Sequence, residues 1–215
     1  EREDEIPSIA EELLIDIFNN PYVPVTKRYE SLGLSRKKGK AVKDYLIKNN
    51  FVTETNIKIS NSISNFLILT RRGLEFCEEH SCKGNLWREI TTGKVSFRHR
   101  FYQFLIKEYL TRDGWDVNLE SQIDGNRRVD VEAIYRTDGE TKRRIAIEVA
   151  VTKFEIQDLM KCINDGFDEV RVVCRDETAR KRIESVINSF DGKKKRDSVV
   201  VQTINGLLNN MPQKP

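Results

Sequence analysis

RRVDVEAIYRTDGETKRRIAIEVAVTKFEIQDLMK, running from Arg127 to Lys161, is the stretch whose reading decides the fold. Two apolar runs, Val129–Tyr135 and Arg144–Val151, flank Asp138-Gly139. An Asp-Gly pair between such runs is a strong hairpin signal, because its residues accept the positive φ that a tight turn demands. Each run carries a badly placed acid: Asp130 lies between valines, and Glu148 lies inside Ile-Ala-Ile-Glu-Val-Ala-Val. Side chains alternate along a strand, so Asp130 and Glu132 are expected to share a face, as are Ala146, Glu148 and Ala150. Antiparallel pairing would then bring Asp130 and Glu148 together on one side of the sheet. A buried carboxylate requires a partner. Two facing carboxylates repel, and a divalent cation relieves that repulsion; oxygen donors suit a hard ion such as Mg²⁺. The alternative is that each acid pairs with a neighbouring arginine or caps an edge.

Working outward, the residues after the hairpin alternate between elements. Phe154–Asn164 reads as a helix, Val170–Cys174 as a strand, Glu177–Phe190 as a helix and Val199–Ile204 as a last strand, with a loose tail to Pro215. Before the hairpin, Phe97–Arg112 is an amphipathic helix with Phe101, Phe104, Leu105, Tyr109 and Leu110 expected to face inward. Trp115–Glu120 is a strand and Gln122–Asn126 a turn. His99, one of two histidines, reads as a surface or phosphate neighbour rather than a catalyst.

Helix, three strands, helix, strand, helix, strand is an order that resembles the restriction-endonuclease-like fold of the PD-(D/E)xK nucleases, over about residues 97–205. Asp130 and Glu148 carry the resemblance. In that family such a pair holds a divalent metal that activates water beside the scissile phosphate, so the resemblance implies Mg²⁺, or Mn²⁺, at Asp130 and Glu148. A lysine two residues beyond the glutamate serves the water in the family. Here position 150 is alanine, and Val129 stands where the family has proline. Lys153, just past the strand, and Lys161, on the next helix, are the candidate replacements, and Glu120 or Glu132 could add a ligand. The layout around Glu148 and Lys161-Cys162 also looks like nuclease-like tails of mobile-element and archaeal ATPases, although no Walker motif occurs.

The first part of the chain has a different character. Ser8, with Glu11 three residues on, reads as a capping box opening a helix to about Asn20. A short helix from Val25 to Leu32 stops at Gly33, and Ser35 caps a third helix to about Asn49. Phe51–Ser60 and Asn65–Thr70 are strand-like, and a fourth helix runs to about His80. Between Thr26 and Lys43 stand seven bases against one acid, Glu30, a local patch suited to phosphate. This order resembles winged helix-turn-helix domains over residues 8–82. The phrase Thr26-Lys-Arg-Tyr-Glu-Ser-Leu-Gly-Leu-Ser35 looks like the helix-turn-helix core. The resemblance implies that the third helix meets DNA through Arg36, Lys37, Lys38, Lys40 and Lys43, mostly at phosphate. Residues 81–96 read as a junction, with Trp87 packing between domains.

The fold class expected is therefore α+β and α/β: a winged helix at the N-terminus, then a restriction-endonuclease-like mixed sheet flanked by helices. The boundary is placed between residues 92 and 93. The chain of 215 residues is 33% charged with a formal charge of +3. No apolar run approaches membrane-spanning length. Cys77, Cys82, Cys162 and Cys174 match no zinc spacing, and free thiols fit a reducing, cytoplasmic setting. A chain opening on Glu is expected of a processed or excised fragment. The partner implied is DNA, with a homodimer or a larger parent protein left open. Two functions compete: a metal-dependent DNA nuclease, or an inactive nuclease fold that binds DNA or a protein partner.

Overall fold

The computed structural model describes residues 6–59, 62–80, 85–123, 127–151, 156–189, 198–210, 212 and 214. The chain divides into two compact units, Glu1–Phe97 and Arg98–Pro215.

The first unit runs α1 (Ser8–Asn19), α2 (Val25–Ser31), α3 (Arg36–Lys48), β1 (Val52–Ile59), β2 (Ser62–Leu69), α4 (Arg71–Glu79) and α5 (Asn85–Thr91). Helix α1 begins at Ser8 itself. Pro7 takes the capping position, and its carbonyl accepts from the Ala10 and Glu11 amides, so the expected capping box does not form. Ser35 does cap α3, its side chain accepting from the Lys38 amide at 3.3 Å. The core gathers Leu13, Leu14 and Ile17 of α1, Leu46 of α3, and Phe66 and Leu67 of β2, all fully buried. Buried Arg28 bonds Asp16 and the Asn20 carbonyl, tying α2 to the end of α1. Gly39 is a close-approach glycine: a Cβ there would sit 2.6 Å from the Tyr29 ring. The bulkless position lets α3 lie against α2. Strands β1 and β2 pair antiparallel from Val52↔Leu69 to Ile59↔Ser62. Trp87, expected between domains, is instead buried within this unit. Its Nε1 donates to the Phe18 carbonyl at 2.9 Å, and it stacks on Phe97. Residues 85–91, read from the sequence as junction, form the helix α5 that carries it.

The second unit runs α6 (Phe97–Arg112), β3 (Asp116–Ile123), β4 (Arg127–Thr137), β5 (Glu140–Ala150), α7 (Ile156–Asn164), β6 (Glu169–Cys174), α8 (Glu177–Ser189), β7 (Val199–Thr203) and α9 (Ile204–Asn209). Its mixed sheet has the order β3-β4-β5-β6-β7. The first two ladders, β3–β4 and β4–β5, are antiparallel, and β5–β6 and β6–β7 are parallel. The β4–β5 hairpin turns at Asp138 and Gly139, both at positive φ, as the Asp-Gly signal requires. Parallel strands need crossovers, and α7 and α8 supply them. Strand β6 is buried along its whole length, and its two charged residues, Glu169 and Arg171, pair with one another. One face of the sheet contributes Ala146, Ala150, Val170 and Val172 to a core completed by Leu159 and Cys162 of α7 and Ile183 and Ile187 of α8.

The sequence reading misplaces details here. Gln122 and Ile123 belong to β3 rather than to a turn, pairing with Arg128 and Arg127. The tail is helical over Ile204–Asn209, with Thr203 accepting from the Gly206 amide as its cap. In α6 the buried residues are Phe97, Phe101, Tyr102, Gln103, Ile106 and Leu110, while Tyr109 is exposed. Apolar residues surround that helix, so spacing alone does not select its inner face.

A candidate acid cluster and a basic helix

Strand pairing places the acids. The β3–β4 ladder pairs Leu119 with Val131 and Ser121 with Val129, so Glu120 and Asp130 lie opposite one another. The β4–β5 ladder pairs Val131 with Ile147. The next rung in that register would set Asp130 against Glu148. Asp130 reaches past this position: its Oδ2 accepts the Val149 amide at 2.7 Å. A carboxylate thus occupies the acceptor place of a ladder carbonyl, one residue beyond Glu148.

Helix α7 brings the amine. Lys161 Nζ stands 3.3 Å from Glu148 Oε1, with both side chains largely buried. The Cys162 thiol lies at 3.3 Å from the same oxygen. The Lys161 charge also acts on Asp130. Of the two candidate lysines, Lys161 is therefore paired with Glu148; Lys153 lies outside the described residues. Ala150 is buried against α7, so nothing ionisable occupies the place two residues beyond Glu148.

Helix α6 brings a second set of groups that spacing does not reveal. His99 Nε2 lies 3.2 Å from Asp130 Oδ1. Gln103, with no exposed surface, donates through Nε2 to Glu120 Oε1 at 2.6 Å and to Asp130 Oδ1 at 3.2 Å. Its own Oε1 accepts from Arg100 Nη1 at 2.9 Å, and the same Arg100 nitrogen donates to Glu120 Oε1 at 2.7 Å. With both ends engaged, the orientation of the Gln103 amide is fixed by its partners. Glu120 itself sits at φ +52°, an uncommon conformation for a non-glycine residue inside a strand. Ligand atoms of His99, Glu120 and Asp130 all lie within 4.8 Å of one another. Glu148 is not a member of that group.

Burial alone would raise the Asp130 carboxyl. The His99 hydrogen bond and charge, the Val149 amide and the Lys161 ammonium outweigh it and hold the group below the ordinary carboxylate range. Glu132 is likewise lowered against burial, by Ser121, Arg144 and Asn118. Its Oε2 accepts from Ser121 at 2.5 Å, and its Oε1 from Arg144 at 2.6 Å. Glu132 is thus tied to Arg144, as Glu120 is to Arg100. Glu120, the other candidate extra ligand, lies beside Asp130.

In the first unit, Arg36, Lys37, Lys38 and Lys40 are exposed along the opening turns of α3. Lys43 differs: it is half-buried and bonds Glu54 of β1 at 2.7 Å, and Asn65 of β2 donates to the same carboxylate. A cleft of about 460 Å³ opens between these elements, lined in part by Thr26, Tyr29, Arg36, Lys40, Lys43 and Asn65. The Cys77–His80 segment offers no metal group among the described residues; Cys82 lies outside them. No helix among the described residues is long and apolar enough to cross a membrane. No protein-family model matches this chain, and neither a curated protein nor a solved structure does.

Proposed function

We propose that the second unit is a metal-dependent nuclease module of the PD-(D/E)xK kind acting on DNA phosphodiesters, and that the first is a winged helix that holds the DNA. The observation that carries this reading is Lys161, whose ammonium lies 3.3 Å from Glu148 and whose charge reaches Asp130. An acid pair with an amine beside it, at one end of a mixed sheet, is the set of groups that hydrolysis of a phosphodiester calls for. The amine comes from α7 rather than from the strand, which accounts for alanine at position 150.

Asp130 and Glu148 offer only oxygen donors, the set that a hard cation such as Mg²⁺ or Mn²⁺ takes. A divalent ion held by these two residues would supply positive charge for the scissile phosphate and for the attack of water. Lys161 orients the attacking water by donating to it and offsets negative charge gathering on the phosphate. The Val149 amide keeps Asp130 aimed and ionised. On α3, Arg36, Lys37, Lys38 and Lys40 engage phosphates and set the protein on the duplex, contributing affinity more than sequence choice.

The test is cleavage of plasmid and linear duplex DNA in Mg²⁺ or Mn²⁺, run beside Asp130→Asn, Glu148→Gln and Lys161→Ala. Cleavage in wild type that the acid variants lack supports the reading. No cleavage with any divalent ion, or equal cleavage in all four proteins, overturns it. A second reading has its own observation: Ala150 leaves no lysine on the strand, and the Lys161 amine is already engaged with Glu148. On that reading the fold binds DNA, or a protein partner, without cutting. It predicts salt-dependent DNA binding with no cleavage, or no DNA affinity at physiological salt if the partner is protein.

A further inference from the structure

We infer that His99, Glu120 and Asp130 form a second metal seat, sharing Asp130 with the Asp130–Glu148 pair, and that it takes a borderline divalent ion such as Zn²⁺ or Co²⁺ rather than Mg²⁺. The inference goes beyond the nuclease reading, because it concerns binding and holds whether or not DNA is cut.

His99 Nε2 and Asp130 Oδ1 stand 3.2 Å apart. Two donors on adjacent corners of a tetrahedral or octahedral shell with bonds of about 2.1 Å lie about 3.0–3.4 Å apart. The third donor, a Glu120 carboxylate oxygen, falls with the other two inside a 4.8 Å span. Three elements converge to supply them: α6, β3 and β4.

The supporting groups are already in place. Arg100 and Gln103 both donate to Glu120 Oε1, which leaves Oε2 to turn toward an ion. On Asp130, Oδ2 is committed to the Val149 amide while Oδ1 faces the imidazole. Such outer hydrogen bonds fix ligand carboxylates in metal proteins, and Gln103, completely buried, clips both acids at once. Two carboxylates, with Arg100 alongside, leave net negative charge for a dication. The nitrogen donor decides which ion: imidazole suits Zn²⁺ and Co²⁺, whereas Mg²⁺ prefers an all-oxygen shell. Glu148 is held by Lys161, at 3.3 Å, and does not join the three.

The experiment is Co²⁺ binding to the full chain, followed by visible absorption and by X-ray absorption at the cobalt edge, with Mg²⁺ as competitor. Wild type should bind one Co²⁺ with a scattering shell that includes imidazole, and millimolar Mg²⁺ should displace it poorly. His99→Ala and Glu120→Gln should each weaken Co²⁺ by about tenfold or more, while Glu148→Gln leaves it within about twofold. Imidazole scattering in wild type does not depend on any variant folding. A cobalt shell lacking imidazole, no Co²⁺ binding, or affinity unaltered by His99→Ala overturns the seat. Binding without DNA cleavage overturns the nuclease reading and spares the seat; cleavage without His99-dependent binding does the reverse.

Discussion

The two units hold their charges in opposite ways. On α3 the bases Arg36, Lys37, Lys38 and Lys40 stand in solvent. In the second unit the acids are cross-linked: Asp130 to Val149, His99 and Gln103, Glu120 to Arg100 and Gln103, and Glu148 to Lys161. Exposed charges on flexible stems act at range, tolerate imprecise placement and are screened by salt. Half-buried charges fixed by several bonds act only at contact and are screened little. One arrangement suits holding a polyanion in many registers; the other suits holding something small in one geometry.

The strongest way to break this comparison is at the acids. Glu148→Gln or Asp130→Asn should reduce Mg²⁺-dependent DNA cleavage by about 10³-fold or more, and Lys161→Ala by about 10²-fold, the loss of one charge-stabilising donor. Single-turnover rates check this, with duplex affinity unchanged. Next in size is Gly39→Ala. A methyl 2.6 Å from the Tyr29 ring must push α3 away from α2, at a cost of about 1–3 kcal/mol. Thermal melting of the full chain should show the loss, and DNA affinity should fall as the basic face shifts.

The bases should give smaller, graded effects. Neutralising Lys37 or Lys40 should lower the slope of log K against log salt by about one each, with little change in sequence preference. Lys43→Ala should change that slope less, because Lys43 is spent on Glu54. Fluorescence anisotropy over a salt series separates the two classes.

The smallest expected effect is in acid. Asp130 and Glu132 are held below their ordinary values. A carboxyl lowered on folding contributes stability that is full above its unfolded pKa, about 4, and is lost as pH falls through the folded value. Urea midpoints should therefore drop between about pH 5 and pH 2, and Glu132→Gln should flatten that limb while lowering the neutral plateau. Salt should alter this profile far less than it alters DNA binding.

The acids were legible because a carboxylate inside Val-Asp-Val or Ile-Glu-Val breaks an apolar pattern that otherwise predicts burial. The sheet class was legible from the Asp-Gly turn and from Val170–Cys174. What spacing could not supply was α6. Gln103 looks like any polar residue on an amphipathic helix, yet it is wholly buried. Phe101, Tyr102, Phe104, Leu105 and Ile106 are apolar on every side, so no stripe says which way the helix faces. His99 was accordingly read as a surface residue. Glu120 could have been paired with Asp130 by extending the β3–β4 register from its apolar residues. Its left-handed backbone, however, leaves no mark in composition. Helix α5 was missed because seven residues are too few to show a period.

The bond between Asp130 and the Val149 amide has a consequence for how such a protein can change over generations. That carboxylate is a rung of the sheet as well as a charged group, and a side chain unable to accept would orphan a buried N–H at a cost of about 1–3 kcal/mol. Lys161 fills no such gap in the backbone. A lineage drifting toward a purely architectural role can shed the amine early and keep its fold, whereas the aspartate should be the last to go. An aspartate that outlives the lysine among descendants would thus mark the scaffold rather than the chemistry.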